Sequence, residues 1–352
     1  MSYRNICING DFLCRNLTGI ERFAFEICTR LDKIIQKDSL CMYIPANAKF
    51  IPEFQNIKIL KSDVECTIFP LWEHIAFKKN LKKNKFIPLD FANVTPFGYP
   101  GIVFIHDIYA KLYPSDFISL KDKLIRAYMC MMYRYACKKS QCLITVSNFS
   151  RQQISRTYKV PFENIHVIYN GWEHIQNVKS DISIFQKYPQ LQRKKFYFTL
   201  GSLQKRKNLK WIADYASKHT ENVFAISGKA ISGMVSKDLE CLKTLNNVVL
   251  LGYVSDGEVK ALYENCKAFI FPSYYEGFGI PPLEALSCGA PVIIGRAASL
   301  PELYGNCAHY IDCNNSDVSL EEILSTPTES ASVVLEKYTY QKAAESLKKL
   351  LF

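Results

Sequence analysis

The stretch Ala268-Phe-Ile-Phe-Pro-Ser-Tyr-Tyr-Glu276-Gly-Phe-Gly279-Ile-Pro-Pro-Leu-Glu284-Ala-Leu-Ser-Cys-Gly289 decides how this chain reads. Its first four residues form a short apolar run, which predicts a buried strand. Gly277 and Gly279 let the backbone bend and approach a ligand closely. Pro281 and Pro282 suit the first turn of a helix, and Gly289 suits its end. A strand, a glycine loop and a helix start leave backbone N–H groups unpaired at the loop, which favours phosphate. Glu276 and Glu284, with seven residues between them, add carboxylates that can accept hydroxyl groups. Taken alone, the pair also fits a plain turn followed by a glutamate favoured near a helix N-terminus.

Outward from this stretch, apolar runs and amphipathic runs alternate. Strands are expected at Phe196–Leu200, Val223–Ser227, Val248–Leu251, Ala268–Phe271 and Pro291–Ile294, with helices at Leu209–Lys218, Ser236–Leu245, Asp256–Cys266 and Pro281–Ser287. The first half repeats the pattern. Strands are expected there at Asn5–Ile8, Leu40–Ile44, Cys66–Phe69, Ile102–Ile105, Cys142–Val146 and His166–Tyr169. Helices are expected at Gly19–Ile35, Leu71–Lys83, Leu120–Lys139 and Asn148–Tyr158. Such alternation predicts an α/β chain with two doubly wound, Rossmann-like parallel sheets. The polar region 171–195 reads as a linker, giving domains at 1–172 and 173–352 that face a cleft. A last helix is expected at Leu335–Leu351. Ligands of doubly wound domains bind at the carboxyl ends of strands.

At 352 residues and 48% hydrophobic content the chain suits two cored domains. No apolar run reaches the ~18 residues of a membrane span, and the first residues do not read as a signal peptide. Thirteen cysteines without a C-x-x-C pair argue against a zinc site or a disulfide framework and for a reducing, cytoplasmic setting. The net charge is +11. No nucleic-acid-binding motif accompanies it; an anionic membrane surface and solvated basic faces are the readings left open.

Several strand ends carry polar chemistry. After Phe196–Leu200 comes Gly201-Ser-Leu-Gln-Lys-Arg206-Lys207-Asn208, two cations able to grip a diphosphate. Thr18-Gly19 opens the first long helix, where N–H donors face an anion or Thr18 simply caps. His106-Asp107 follows a buried run. Asp107 is expected to orient His106 or cap the next segment. Ser147 reads as a helix cap, and Asn170-Gly171 as a turn. Gly228-Lys229 and Gly252-Tyr253-Val254 end further strands, and Leu300-Pro301-Glu302 forms a later turn. Trp72-Glu73 and Asp90 to Asn93 belong to the first half, where Trp72 reads as core or as part of a ligand site. Helix Leu120–Lys139 carries Tyr128, Met131, Met132 and Tyr135 on a face that suits core or a membrane. No D-x-D triplet, the usual carboxylate pair for a metal-bound diphosphate, occurs.

The segment Glu276 to Val292 resembles the donor-site signature of family 4 glycosyltransferases, and the resemblance extends over nearly the whole chain. It implies a retaining enzyme of the GT-B fold, with a C-terminal helix packing back across the domains. It implies a nucleotide-diphosphate sugar donor and a saccharide acceptor, lipid-linked in the surface-polysaccharide subset with the similar Trp-Glu segment, which mildly favours GDP-mannose. By this resemblance Glu276 and His106 attend the transferred sugar. Arg206, Lys207, Gly19, Gly279 and Ile280 hold the diphosphate. Glu284, Leu283, Tyr253 and Val254 hold the nucleoside, and Thr18, Asp107 and Trp72 contact acceptor or sugar. No cofactor, metal or nucleic acid is expected, and location is cytoplasmic or at the inner membrane face. Ser202 stands where many members have arginine, and a single glycine, Gly19, where many have two. A sugar-nucleotide epimerase and a non-catalytic scaffold subunit are the alternatives.

Overall fold

The computed structural model describes residues 5–201, 204–228 and 238–352. Ser202, Lys229 and the expected start of a helix at Ser236 lie outside them. The chain divides into two compact units: Met1–Leu112, Ile125–Gly171 and Tyr338–Phe352 form one, and Tyr113–Leu124 with Trp172–Lys337 the other.

The first unit holds a seven-stranded sheet of β1 (Ile6–Asn9), β2 (Leu40–Ile44), β3 (Ile57–Lys61), β4 (Ile87–Asp90), β5 (Ile102–Phe104), β6 (Cys142–Thr145) and β7 (Ile165–Val167). Its order is β3-β2-β1-β4-β5-β6-β7, with every pairing parallel. The second unit holds β8 (Phe196–Leu200), β9 (Val223–Ser227), β10 (Val248–Gly252), β11 (Ala268–Phe271), β12 (Val292–Gly295) and β13 (His309–Ile311). They run in parallel in the order β10-β9-β8-β11-β12-β13. β1, β5, β6, β11 and β12 are buried along their whole length. Continuous apolar runs are what strands covered on both faces require. Strand order reverses between β1 and β4, and between β8 and β11, and these are the switch points at which such sheets bind ligands.

The structure corrects three expectations and adds strands that the sequence reading missed. Residues 66–69 are no strand: Cys66 is buried beside Trp72, and its N–H donates to the Asn47 side chain at 2.8 Å. β3 takes the edge instead, with Lys58 and Lys61 pointing to solvent. β4 went unrecognised because Pro88 removes a ladder donor, yet it pairs with β1 and β5. The last helix is two: Ser332–Lys337, then Tyr340–Leu351, capped by the Thr339 side chain accepting from Lys342 N at 3.1 Å. Finally, 338–352 belongs to the first unit, not to a domain 173–352. Tyr340, Ala343, Ala344, Leu347 and Leu351 form a buried stripe at helical spacing. The Arg30 guanidinium lies 5.3 Å from the Tyr340 ring centroid, and Lys348 Nζ donates to the Ile34 carbonyl at 2.5 Å.

Candidate active site

In the second unit the residues after β8 and β11 meet at the switch point. Lys207 Nζ lies 2.6 Å from Glu276 Oε1, and Arg206 Nη1 3.2 Å from Oε2. Sequence spacing gives no hint of this three-way ion cluster. Burial alone pushes the Glu276 carboxyl up, but the charges of Lys207 and then Arg206 outweigh it and hold the group below the usual glutamate value. Asn208 ties the loop down, donating to the carbonyls of Pro272 at 3.1 Å and Cys313 at 2.8 Å. Lys207 Nζ also sits 4.6 Å from the Phe271 ring centroid, a favourable cation–π distance.

The loop between Glu276 and Gly279 is held from behind. Ser299 Oγ donates to the carbonyls of Glu276 at 3.0 Å and Phe278 at 3.3 Å, and Tyr304 OH donates to that of Gly279. Sequence reading singled out the neighbours Leu300 to Glu302 and missed Ser299 and Tyr304. Gly279 is the N-cap of helix Ile280–Ser287, at φ +90°. A Cβ there would lie 2.8 Å from Leu300 Cδ2. Gly279→Ala is therefore expected to cost ~1–3 kcal/mol from backbone strain besides the clash, read as a lowered midpoint in urea denaturation. An unchanged midpoint would show that the loop yields freely.

Glu284 lies on the helix that Gly279 opens. It is buried, with Tyr263 OH donating to Oε2 at 3.0 Å and His174 Nε2 lying 2.9 Å from Oε1. Leu283 is buried beside it, Val254 is buried after β10, and Tyr253 is 66% exposed. A further group reaches the loop from residues 113–124. Asp116 Oδ1 pairs with Lys205 Nζ at 3.0 Å, Tyr274 OH donates to Asp116 Oδ2, and the Tyr113 ring lies 5.2 Å from that of Tyr275. Tyr113 and Asp116 fall between expected elements and carry no sequence signal of their own.

In the first unit, Gly19 rather than Thr18 caps the helix Ile20–Ile34, at φ +53° and with no side-chain cap. Thr18 and Gly19 are both exposed. His106, after β5, is buried, and its ring stands edge-on to Phe23 of that helix at 5.0 Å. Its Nε2 is 2.8 Å from the Phe91 carbonyl, and its amide donates to Asn93 Oδ1 at 2.7 Å. Burial lowers its pKa from the ordinary value near 6.5 to about 4, so His106 is neutral at physiological pH and Nε2–H donates to Phe91. Asp107 Oδ1 accepts from Tyr109 N at 2.9 Å and caps the next turn.

This shift has a sign. Between pH 6.5 and 4 the unfolded state binds the proton that the folded one refuses, so stability falls as pH falls through that window. The slope flattens below the folded value. Removing His106's share, as in His106→Gln, is expected to flatten the fall by up to ~3 kcal/mol. Parallel denaturation curves of both proteins from pH 7 to 4 check this, and identical slopes would refute it.

Trp72, left open between core and a ligand site, lies in the core. It is 2% exposed, stacks on Tyr43 at 5.3 Å, and donates from Nε1 to Asn9 Oδ1 at 2.9 Å. Asn9 Nδ2 donates in turn to Glu73 Oε2 and to Asp90 Oδ1, the latter at 3.4 Å. Burial, and then for Glu73 the charges of Asp90 and Asp11, pushes both carboxyls well above their usual range. The two segments flagged in the sequence are thus one buried cluster at the first switch point.

No group of three or more His, Cys, Asp or Glu side chains suited to a metal ion occurs among the described residues. Nor, among them, is any helix long and apolar enough to cross a membrane.

Known structures share this architecture from end to end. Sucrose-phosphate synthase of Thermosynechococcus elongatus superposes with a TM-score of 0.74 at 14% identity, covering 99% of this chain and 98% of that one. Anabaena Alr3699/HepE, solved with UDP and glucose, superposes at 0.68 and 17% identity, covering 99% of each. These likenesses and the two parallel-sheet units define the GT-B fold. The family model described as Glycosyl transferases group 1 matches residues 180–332, and that described as Glycosyltransferase Family 4 matches 18–174. The chain belongs to glycosyltransferase family 4. It is 29% identical over 236 residues to O-antigen chain mannosyltransferase B of Escherichia coli, 64% of this chain but 61% of that protein. It is 29% identical over 325 residues to O-antigen chain mannosyltransferase RfbU of Salmonella typhimurium, covering 87% and 86% of the two.

Proposed function

We propose that this chain is a retaining hexosyltransferase of surface-polysaccharide assembly, taking mannose from GDP-mannose and adding it to a lipid-linked saccharide without a metal. The observation that carries the reading is the cluster of Glu276 with Arg206 and Lys207 at the second switch point. Before donor binds, the carboxylate pairs with both cations. An incoming diphosphate draws Arg206 and Lys207 onto itself and frees Glu276 for sugar hydroxyls. The N–H groups from Gly279 to Leu283 add donors at the leaving phosphate, where charge develops. Two fixed cations and a helix start supply there the charge that a metal otherwise brings. Glu284 accepts the ribose hydroxyls. The leaving phosphate takes the acceptor's proton on the same face, so the anomeric configuration is retained. In the first unit, neutral His106 and the helix start at Gly19 are the groups assigned to sugar and phosphate.

Mannose as the sugar is supported by relatives whose names state that activity. A lipid-linked acceptor agrees with an exposed surface on the first unit. Ile68, Leu71 and Ile75 recur at helical spacing, 55%, 53% and 61% exposed, ahead of Lys78, Lys79, Lys82 and Lys83. Apolar residues followed by lysines suit the face of an anionic bilayer. On helix Leu120–Lys139 the apolar positions divide, with Met132 buried and Leu120, Leu124 and Met131 exposed.

The test is a thermal-shift panel of GDP, UDP, dTDP and ADP with their sugar conjugates, with and without EDTA, followed by transfer assays with the donor that binds. Binding raises stability with ln(1 + [L]/Kd). A GDP-specific shift indifferent to EDTA, followed by α-linked product, is expected. Sugar-nucleotide turnover without acceptor would favour the epimerase instead, and no shift at all would favour a scaffold.

A further inference from the structure

We propose that His174 and Tyr263 are positioning residues that fix the Glu284 carboxylate for two neighbouring hydroxyls of the donor's ribose. This rests on the reading of Glu284 as the ribose-binding residue.

Oε1 of Glu284 has His174 Nε2 at 2.9 Å, and Oε2 has Tyr263 OH at 3.0 Å. With a protein group held at each oxygen, the carboxyl plane can no longer rotate. The directions in which a carboxylate accepts hydrogen bonds are then set, which suits a cis pair of hydroxyls.

The clamp is built from two elements locked together. Tyr263 lies on helix Asp256–Asn265, fully buried, with its ring 5.4 Å from Phe198 and 5.2 Å from Phe269. His174 lies in the short turn Glu173–Ile175. Lys260, on the same helix as Tyr263, donates to the carbonyls of Ile175 at 3.3 Å, Gln176 at 3.0 Å and Val178 at 2.8 Å. Trp172 Nε1 holds the other side of the turn, donating to the Leu335 carbonyl at 3.0 Å. The imidazole is thereby held against the carboxylate by four hydrogen bonds to its own turn's neighbourhood. His174 had no motif to mark it, because it belongs to the polar stretch between the two sheets.

The experiment measures binding of GDP and 2′-deoxy-GDP, and of UDP and 2′-deoxy-UDP, to wild type, Glu284→Ala, His174→Ala, His174→Gln and Tyr263→Phe. His174→Ala and Tyr263→Phe are expected to weaken the ribonucleotide about tenfold each and to bring its affinity close to that of the deoxy analogue. The loss should fall on KM for the sugar nucleotide rather than on kcat. His174→Gln, whose amide nitrogen replaces Nε2, should restore most of the preference. If Glu284→Ala loses the preference while His174→Ala and Tyr263→Phe keep it, the positioning role is wrong. If Glu284→Ala itself binds both nucleotides as wild type does, the ribose assignment fails and the proposal with it. Should Tyr263→Phe unfold, the contrast between His174→Ala and His174→Gln decides the matter.

Discussion

Glu276→Gln is expected to lose sugar transfer by ~100- to 1,000-fold while still binding the nucleoside diphosphate at least as well as wild type. Two opposed effects separate here. The amide keeps the shape of the side chain but cannot accept from hydroxyls at both of its ends, so stabilisation of the reacting sugar is lost. The same change removes the negative charge that holds Lys207 at 2.6 Å and Arg206 at 3.2 Å. Both cations can then turn to phosphate without first giving up the Glu276 carboxylate. Turnover with saturating donor, together with calorimetric titration of the diphosphate, reads the two effects independently. Turnover within tenfold of wild type would remove Glu276 from the chemistry. Diphosphate binding weakened in step with turnover would mean that the glutamate organises the phosphate site instead. The stability effect has a fixed sign. The carboxyl's pKa is lowered in the folded state, so its contribution is present above the unfolded value and lost as pH falls through the folded one. In Glu276→Gln that acid-side loss is absent.

Lys207→Ala is expected to lower kcat ~100-fold, as removal of one donor to a developing anion does, and to weaken the nucleotide about tenfold. Lys207 is the nearer of Glu276's two cations and the larger influence holding its carboxyl down. Without it, burial has only Arg206 against it, and the glutamate pKa rises. The acid limb of the pH–kcat profile should therefore move to higher pH, a readout that a loss of phosphate affinity alone does not produce. Lys207→Arg should restore only part of the rate. A planar guanidinium on a longer arm cannot follow the path of the lysine, whose Cε passes 3.3 Å from where a Cβ on Gly201 would stand. An unmoved acid limb would place the rate-limiting ionisation elsewhere.

Much of this was legible along the chain, and the reasons differ by element. β1, β8 and β11 are continuous apolar runs because both faces of a parallel sheet are covered, so periodicity found them directly. The loop after β11 was legible because Gly279 at φ +90° and prolines at the helix start leave few other residues that fit. β4 was hidden by Pro88, and β13 by being three residues long. The break before Tyr340 was hidden because Thr339 caps as readily as it continues a polar helix face. Trp72 stayed open between core and sugar site because an aromatic beside a glutamate looks alike in both, and its 2% exposure places it in the core. Ser299, Tyr304 and Asp116 act on the loop through contacts 21 to 158 residues distant in sequence. No local pattern carries such a pairing.

Sequence by itself determined that this chain folds as two parallel α/β sheets, and which strand ends bear its glycines, cations and carboxylates. Local chemistry suffices for that, since hydrophobic period, φ preference and helix-start residues act within a few positions of one another. Only the tertiary structure decided which of those groups meet. Glu276 lies against Arg206 and Lys207, Glu284 between His174 and Tyr263, and Glu73 in a buried pair with Asp90 at the other switch point. Charge interactions fall off with distance in space and depend on burial, and neither quantity exists until the strands have taken their order in the sheet.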